Sequence, residues 1–533
     1  MTSAKVSVQS FAHPHYPMFG GEFIVQKHPA DSMGDASRQH PVDSAFLLSV
    51  DELAALWHLP YEGFAASSIG WGNGREIKAP QPILRSQEGV CLGHNHYAGQ
   101  DRPVYIHPED RTTHIVSFGK AGTGKSTLLH HLIHQDIAAG QGVAVVDPHG
   151  KLIDDILAAS IPDNRLDDVV LLECGRMDTP VPLNPLRIAE GVSEETAYNY
   201  LYWVLQKIYE RIWLEGQTDR VIQNVLRTLL CDPEATPLDI QRILTNGSYR
   251  AQMIAKLKER RMRTSVLFWD EYNQMSTSLQ LQVARPVLSR TEAFLGRRAV
   301  ERMTCHRGTL NLQSYIANKK IVLINLAGEA IQTEVDSLGA MFLAGFYMAF
   351  HALGYLPDGS TPRYYLYIDE VERFVTSPIQ NMFSEARKLG LSLTLANQYL
   401  DQLSQETLNS ILGNEGTLIA FECGDRDARA LASKFAPELD QRALQNLGKY
   451  NIAVKTRVGA DTLPAFTVQT RSPLEKIAGV DVNAIRERSA QQNRFLTADE
   501  VDDWLDRRYF SNNGTPPEPE EAPPSTDGLG DYE

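Results

Sequence analysis

The sequence predicts an α/β fold with a parallel-rich central sheet, a large helical insertion and a small N-terminal accessory module. Three observations carry that expectation. Short apolar runs alternate with helical stretches, as in HIVSF (114–118), STLLHHLIHQDIAA (126–139), GVAVVD (142–147) and DVVLLEC (168–174). Strands that are apolar along their whole length are buried on both faces, as in a parallel sheet covered by helices. The rhythm then stops between about 190 and 310, where the pattern is helical. It resumes with KIVLINLAG (320–328), YYLYIDE (364–370), LSLTLANQ (391–398) and GTLIAFEC (416–423).

In chain order, residues 1–39 are rich in His, Pro, Ser and Gly without periodicity, which predicts a poorly ordered arm. Residues 40–110 alternate β-like runs with turn signals such as GWGNG (70–74) and APQP (79–82), the basis for the accessory module. The core takes up 111–190 and 311–475, divided by the insertion at 191–310. Within it, KYNIAVKTRVGADTLPAFTVQT (449–470) reads as a hairpin. A helical segment at 476–510 follows. Residues 511–533 hold five prolines, six acidic residues and no Lys or Arg, and disorder is expected there.

Composition narrows the class. A chain of 533 residues exceeds one ordinary core, and 43% apolar with 22% charged residues is a globular balance. No stretch of 18 or more residues is uninterruptedly apolar. Leu338–Tyr355, with His351 and three glycines, reads as a helix buried in protein. The first residues lack an apolar h-region, so no secretory leader is expected. Five scattered cysteines (Cys91, Cys174, Cys231, Cys305, Cys423) argue against a disulfide framework or zinc ribbon and for a reducing, cytoplasmic location. His94 and His96 beside Cys91, and His130, His131 and His134 on one helix, lack a complete ligand set and read as surface or packing histidines. A net charge of −15 excludes a protein that coats nucleic acid with its whole surface. Positive charge is nonetheless concentrated in one region, because Arg250 to Arg307 holds twelve Lys/Arg against five Asp/Glu.

Gly119-Lys120-Ala121-Gly122-Thr123-Gly124-Lys125-Ser126 matches G-x-x-x-x-G-K-[ST] without deviation, between an apolar strand and a helix. Glycines let successive N–H groups converge on phosphate oxygens, and the helix adds its positive dipole end. Lys125 would reach the β- and γ-phosphates and Ser126 would ligate Mg2+, with Thr127 completing the cradle for ATP or GTP. Tyr364–Glu370 is an apolar strand ending in two carboxylates. At the C-terminal edge of a parallel sheet, Asp369 would complete the magnesium shell and Glu370 would deprotonate the attacking water. Leu391–Gln398 also ends in polar groups. Gln398 reads either as a γ-phosphate sensor or as part of an ordinary turn.

These segments, together with AVVDPHGKL (144–152), PVPLNPL (180–186), SEARKLGLSLTLANQYLDQL (384–403) and GNEGTLIAF (413–421), resemble the FtsK–HerA superfamily of P-loop ATPases. The similarity is greatest to HerA-like and TraG/TraD/VirD4-type coupling ATPases of conjugation and type IV secretion. It extends over about 45–470 and includes LLSVDELAALWHLP (47–60). The resemblance implies a RecA-like core, a ring, usually a hexamer, and ATP-driven movement of DNA through its pore. It also implies an arginine supplied by the neighbouring subunit. Arg387 is the candidate, with Arg426 and Arg429 behind it, and an intrachain bridge from Arg387 to Glu385 is the competing account. The chain departs from the family at Lys151, where Asp usually follows DPHG, and at Glu422, where a basic residue is frequent. It also lacks the N-terminal spanning helices of membrane-anchored members, so any membrane association would run through partners.

In the insertion, the aromatics of AYNYLYWVLQKIYERIW (197–213) read as packing residues. KLKERRMR (256–263), with Arg285, Arg290, Arg297, Arg298, Arg302 and Arg307, offers either DNA phosphate contacts or solvated helix faces. The leading functional expectation is a DNA-translocating ATPase serving conjugative transfer, DNA processing or defence. A VirB4-like ATPase that energises protein transport or assembly is the alternative, and a slow nucleotide switch the third.

Overall fold

The computed structural model describes residues 76–188, 191–208, 217–354, 361–375 and 385–510. The N-terminal arm, the GWGNG turn and the acidic tail lie outside the described residues, as does the side chain of Arg387.

Twelve strands form one sheet in the order β2-β1-β12-β10-β9-β3-β8-β7-β4-β6-β5, with the short β11 (Asp461–Thr462) paired to β10. The parallel part comprises β3 (Ile115–Phe118), β4 (Gly142–Asp147), β5 (Val169–Glu173), β6 (Ile321–Asn325), β7 (Tyr364–Ile368), β8 (Leu391–Asn397) and β9 (Thr417–Ala420). These are the runs whose continuous apolar character predicts burial on both faces. Alternate residues of β4 confirm it: Val143 and Val145 pack in one core, Ala144 and Val146 in the other. The antiparallel end is the hairpin β1 (Val90–Tyr97) and β2 (Gln100–Ile106), joined through β12 (Phe466–Gln469) to β10 (Asn451–Val458).

Helices α1 (Lys125–Ala138) and α2 (Lys151–Ala159) cover one face through Leu128, Leu132, Ile153 and Ile156. Among the described residues, eight helices lie between β5 and β6: α3 (Glu194–Ile208), α4 (Gln217–Leu229), α5 (Leu238–Thr245), α6 (Gly247–Glu259), α7 (Arg263–Gln274), α8 (Thr277–Leu295), α9 (Arg298–Thr304) and the short helix Leu312–Ala317. Most of them share a separate apolar core around Leu226, Leu229, Ile243, Leu257, Trp269 and Tyr272.

The other sheet face is covered by α10 (Val335–Leu353). Among the described residues it alone is long and apolar enough to cross a membrane, but 72% of it is buried inside the protein. Its Gly339 is required by close approach: a Cβ there would stand 2.1 Å from the Phe374 ring. Arg373 Nε also donates to Asp336 Oδ1 of α10 at 2.9 Å. Helix α10 thus carries the turn that follows β7. Farther along come α11 (Asp425–Phe435), α12 (Val482–Asn493) and α13 (Ala498–Tyr509).

Candidate nucleotide site

The P-loop leaves β3 at Gly119 and enters α1 at Lys125. Gly119, Gly122 and Gly124 all have positive φ, the backbone conformation a tight phosphate-binding turn requires. Lys125 Nζ donates to the carbonyls of Gly119 and Lys120, inside its own loop. Burial lowers its pKa, against the pull of Asp369 and Glu372. Lys120 is tied to Glu422 twice, by N–H to the carbonyl at 3.0 Å and by Nζ to Oε1 at 3.1 Å. Glu422, unusual for the resembled family, therefore serves here as the counter-charge of the loop.

Strand neighbours place the remaining groups. Phe118 pairs in register with Asn397, and Ile368 lies between Leu395 and Val146. The polar ends of β8, β7 and β4 consequently line up beside the P-loop along one carboxyl edge, where α/β sheets bind ligands. Ser126 Oγ donates to Asp369 Oδ2 at 3.0 Å. Gln398 Nε2 donates to Glu370 Oε1 at 2.6 Å. The structure brings together Lys125, Ser126, Asp369, Glu370 and Gln398, with Ala121, Thr123 and Thr127 on the loop and its helix.

Arg426 and Arg429 are exposed on α11 and face Asp401 at 3.3 Å and Asp425 at 3.1 Å. Glu385 accepts from the Tyr347 hydroxyl and lies 3.6 Å from His351. Of Arg387, only the backbone is described.

Burial dominates the electrostatics of two carboxyls here. It raises Asp369, although Ser126 pulls the other way, and lifts Glu372 to about 7. Ser126 and Asp369 offer hard oxygen donors side by side. That set suits Mg2+, which takes one or two protein ligands and completes its shell with phosphate and water. No cluster of three or more His, Cys, Asp or Glu side chains suited to a metal occurs among the described residues.

Sequence reasoning missed several supports of the crevice. Asp147, at the end of β4, accepts from the N–H groups of His149, Leu152 and Ile153 at 2.8–3.2 Å and so organises the DPHG turn. His149 Nε2 lies 2.9 Å from Glu370 Oε2. The signal was available, since DPHG ends a strand just as the Asp369–Glu370 pair does.

Behind the loop, Arg111 makes a two-pronged bridge to Asp136 of α1 at 2.6 and 2.8 Å, and Tyr367 of β7 donates to the same carboxylate at 2.5 Å. That buried triad fixes α1 against β7. In the histidine run, His130 and His134 share the Ser160 hydroxyl at 2.8 and 3.1 Å.

A parallel sheet with a P-loop on β3, acids on β7 and a polar β8 end defines a RecA-like P-loop NTPase. Residues 90–347 match the family described as Helicase HerA, central domain. Over that stretch the chain is similar to the HerA branch of the P-loop ATPases. The matched stretch holds the P-loop and the DPHG turn and ends before Asp369, so the acidic pair and Gln398 rest on the geometry given above.

Two solved structures share the fold. The bacterial conjugative coupling protein TrwBdeltaN70, in an unbound form, is 15% identical with a TM-score of 0.54, over 75% of this chain and 93% of that one. The plasmid coupling protein TrwB in complex with ADP and Mg2+ is 15% identical, TM-score 0.54, over 77% and 96%. VirB4 of Thermoanaerobacter pseudethanolicus reaches a TM-score of 0.48 at 15% identity, over 73% and 98%. No curated protein sequence matches this chain at a significant level.

Proposed function

We propose that this chain is an ATP-hydrolysing motor that translocates DNA as a ring, usually of six subunits. The observation that carries this reading is the convergence of the P-loop, the Ser126–Asp369 contact and the Glu370–Gln398 pair on one sheet edge. The P-loop N–H groups and the N-terminus of α1 bind the phosphates, and Lys125 leaves its loop carbonyls to reach them. Ser126 and Asp369 would hold Mg2+, which would supply charge neutralisation on the phosphate oxygens. Glu370 accepts the proton of the attacking water, and Gln398, once off Glu370, contacts that water or the γ-phosphate. Arg387 is the candidate that one subunit lends to its neighbour's site. DNA as cargo draws its support from the helicase family of residues 90–347. The coupling proteins that share the fold agree with a role in conjugative transfer.

The test is ATP hydrolysis by the purified chain with and without long duplex DNA, beside Lys125→Ala and Glu370→Gln. Stimulation by DNA, lost in both variants, is the expected result. A rate indifferent to DNA would transfer the proposal to a VirB4-like ATPase acting on protein.

A further inference from the structure

We infer that His149 is a positioning residue for Glu370, holding the carboxylate of the proposed base in a fixed orientation beside the P-loop. This inference rests on the reading of Glu370 as the hydrolytic base.

The DPHG turn is built as a rigid support. Asp147, almost fully buried, spends both carboxylate oxygens on three backbone N–H groups of the turn and of α2. Gly150 sits in the left-handed region at φ 78°, and a Cβ there would come within 2.7 Å of Asn325 Oδ1, so only glycine fits. What this framework presents is the His149 side chain, which is 60% exposed and adds little to any core. Its ring makes one polar contact among the described residues, to Glu370 Oε2.

The receiving side is equally constrained. Glu370 has φ 50°, an unfavourable conformation for a residue with a Cβ, and its side chain is only 13% exposed. Gln398 donates to Oε1, His149 faces Oε2 at 2.9 Å, and Arg373 stands off at 3.9 Å. The terminal torsion of a glutamate is broad, so one donor leaves the carboxylate free to turn. A hydrogen bond on Oε1 and a close imidazole contact on Oε2 hold opposite oxygens of the resting carboxylate. A pair with so exposed a partner contributes little to stability, and orientation of the base is what remains to account for it.

The experiment is steady-state and single-turnover ATP hydrolysis by the full chain, its His149→Ala, His149→Gln and Glu370→Gln variants, and the double variant His149→Ala/Glu370→Gln. We expect His149→Ala to lower kcat at least about tenfold, with KM for ATP and the melting temperature unchanged. His149→Gln keeps an N–H donor and should recover most of the rate. In the Glu370→Gln background, His149→Ala should cost nothing further, because both changes act through one carboxylate.

The inference is overturned if His149→Ala leaves kcat unchanged or raises it, if the loss falls on KM, or if the loss persists in the Glu370→Gln background. A wild-type rate in Glu370→Gln removes the base reading and this inference with it. A wild-type rate in His149→Ala beside an inactive Glu370→Gln removes this inference alone.

Discussion

The nucleotide crevice and the helical insertion both attract notice in the sequence through charge, and they resolve in opposite ways. In the crevice, Asp369 and Glu370 remain where their strand delivers them, facing Ser126 and Gln398 across neighbouring strands. In the insertion, four of the twelve basic residues meet acids distant in sequence. Lys256 pairs with Asp232 at 3.4 Å, Arg260 with Glu194, and Arg298 and Arg302 both with Asp502 of α13. Arg250 is buried and spends its guanidinium on Asn273 and the carbonyls of Ile243 and Leu244. Part of the basic cluster in sequence is thus neutralised in space. The basic residues of KLKERRMR without a described partner are Lys258, Arg261 and Arg263, and any phosphate contact from this stretch falls to them.

That contrast breaks most visibly at Glu370, the proposed base. Glu370→Gln should lower kcat by about a hundredfold or more while leaving nucleotide binding intact, as measured by single-turnover hydrolysis and fluorescent-nucleotide titration.

The frame behind the crevice comes next. Asp136→Ala leaves the Arg111 guanidinium buried and unpaired, and chemical denaturation should show a loss of about 3–5 kcal/mol. On the insertion side, Asp502→Ala strips Arg302, whose side chain is 8% exposed, of its partner. The expected cost is smaller, about 1–3 kcal/mol, and α13 should become more accessible to protease. If that variant is as stable as the wild type, the basic cluster is less neutralised than the contact implies.

Acid should weaken the fold through two histidines. Burial pushes His130 and His306 down to about 4, and His306 Nδ1 accepts a bond from the Gly308 N–H at 2.7 Å. Both are neutral in the fold, while their unfolded counterparts bind a proton below about 6.5. The stability they contribute is thus full above that value and is lost as pH falls toward 4, at up to about 1.4 kcal/mol per pH unit for each. The urea midpoint should fall between pH 6.5 and 4, and less steeply in His306→Asn.

The smallest effect is at KLKERRMR. If this stretch contacts DNA, Lys258→Glu should reduce the salt slope of DNA binding by roughly one to two units without changing basal hydrolysis. An unchanged slope would move DNA contact to the ring pore.

The parallel strands were legible because burial on both faces demands continuous apolar runs, and that demand is local. The P-loop was legible for the same reason, since its glycines, lysine and serine act within eight residues. His149 went unread because its partner lies on an adjacent strand more than two hundred residues away. Arg111 went unread because nothing near it in sequence announces a buried acid. The hairpin at 90–106 shows the same limit: its strands could be read, but its attachment through β12 to the far edge of the core sheet could not.

By itself the sequence determined the α/β class, the phosphate loop and the acids that end β7, because strand burial and phosphate binding impose patterns on consecutive residues. Only the tertiary structure decided which charges are neutralised and which face the crevice. It alone decided that the DPHG turn meets Glu370, since strand order and register set which distant residues stand within reach of one another.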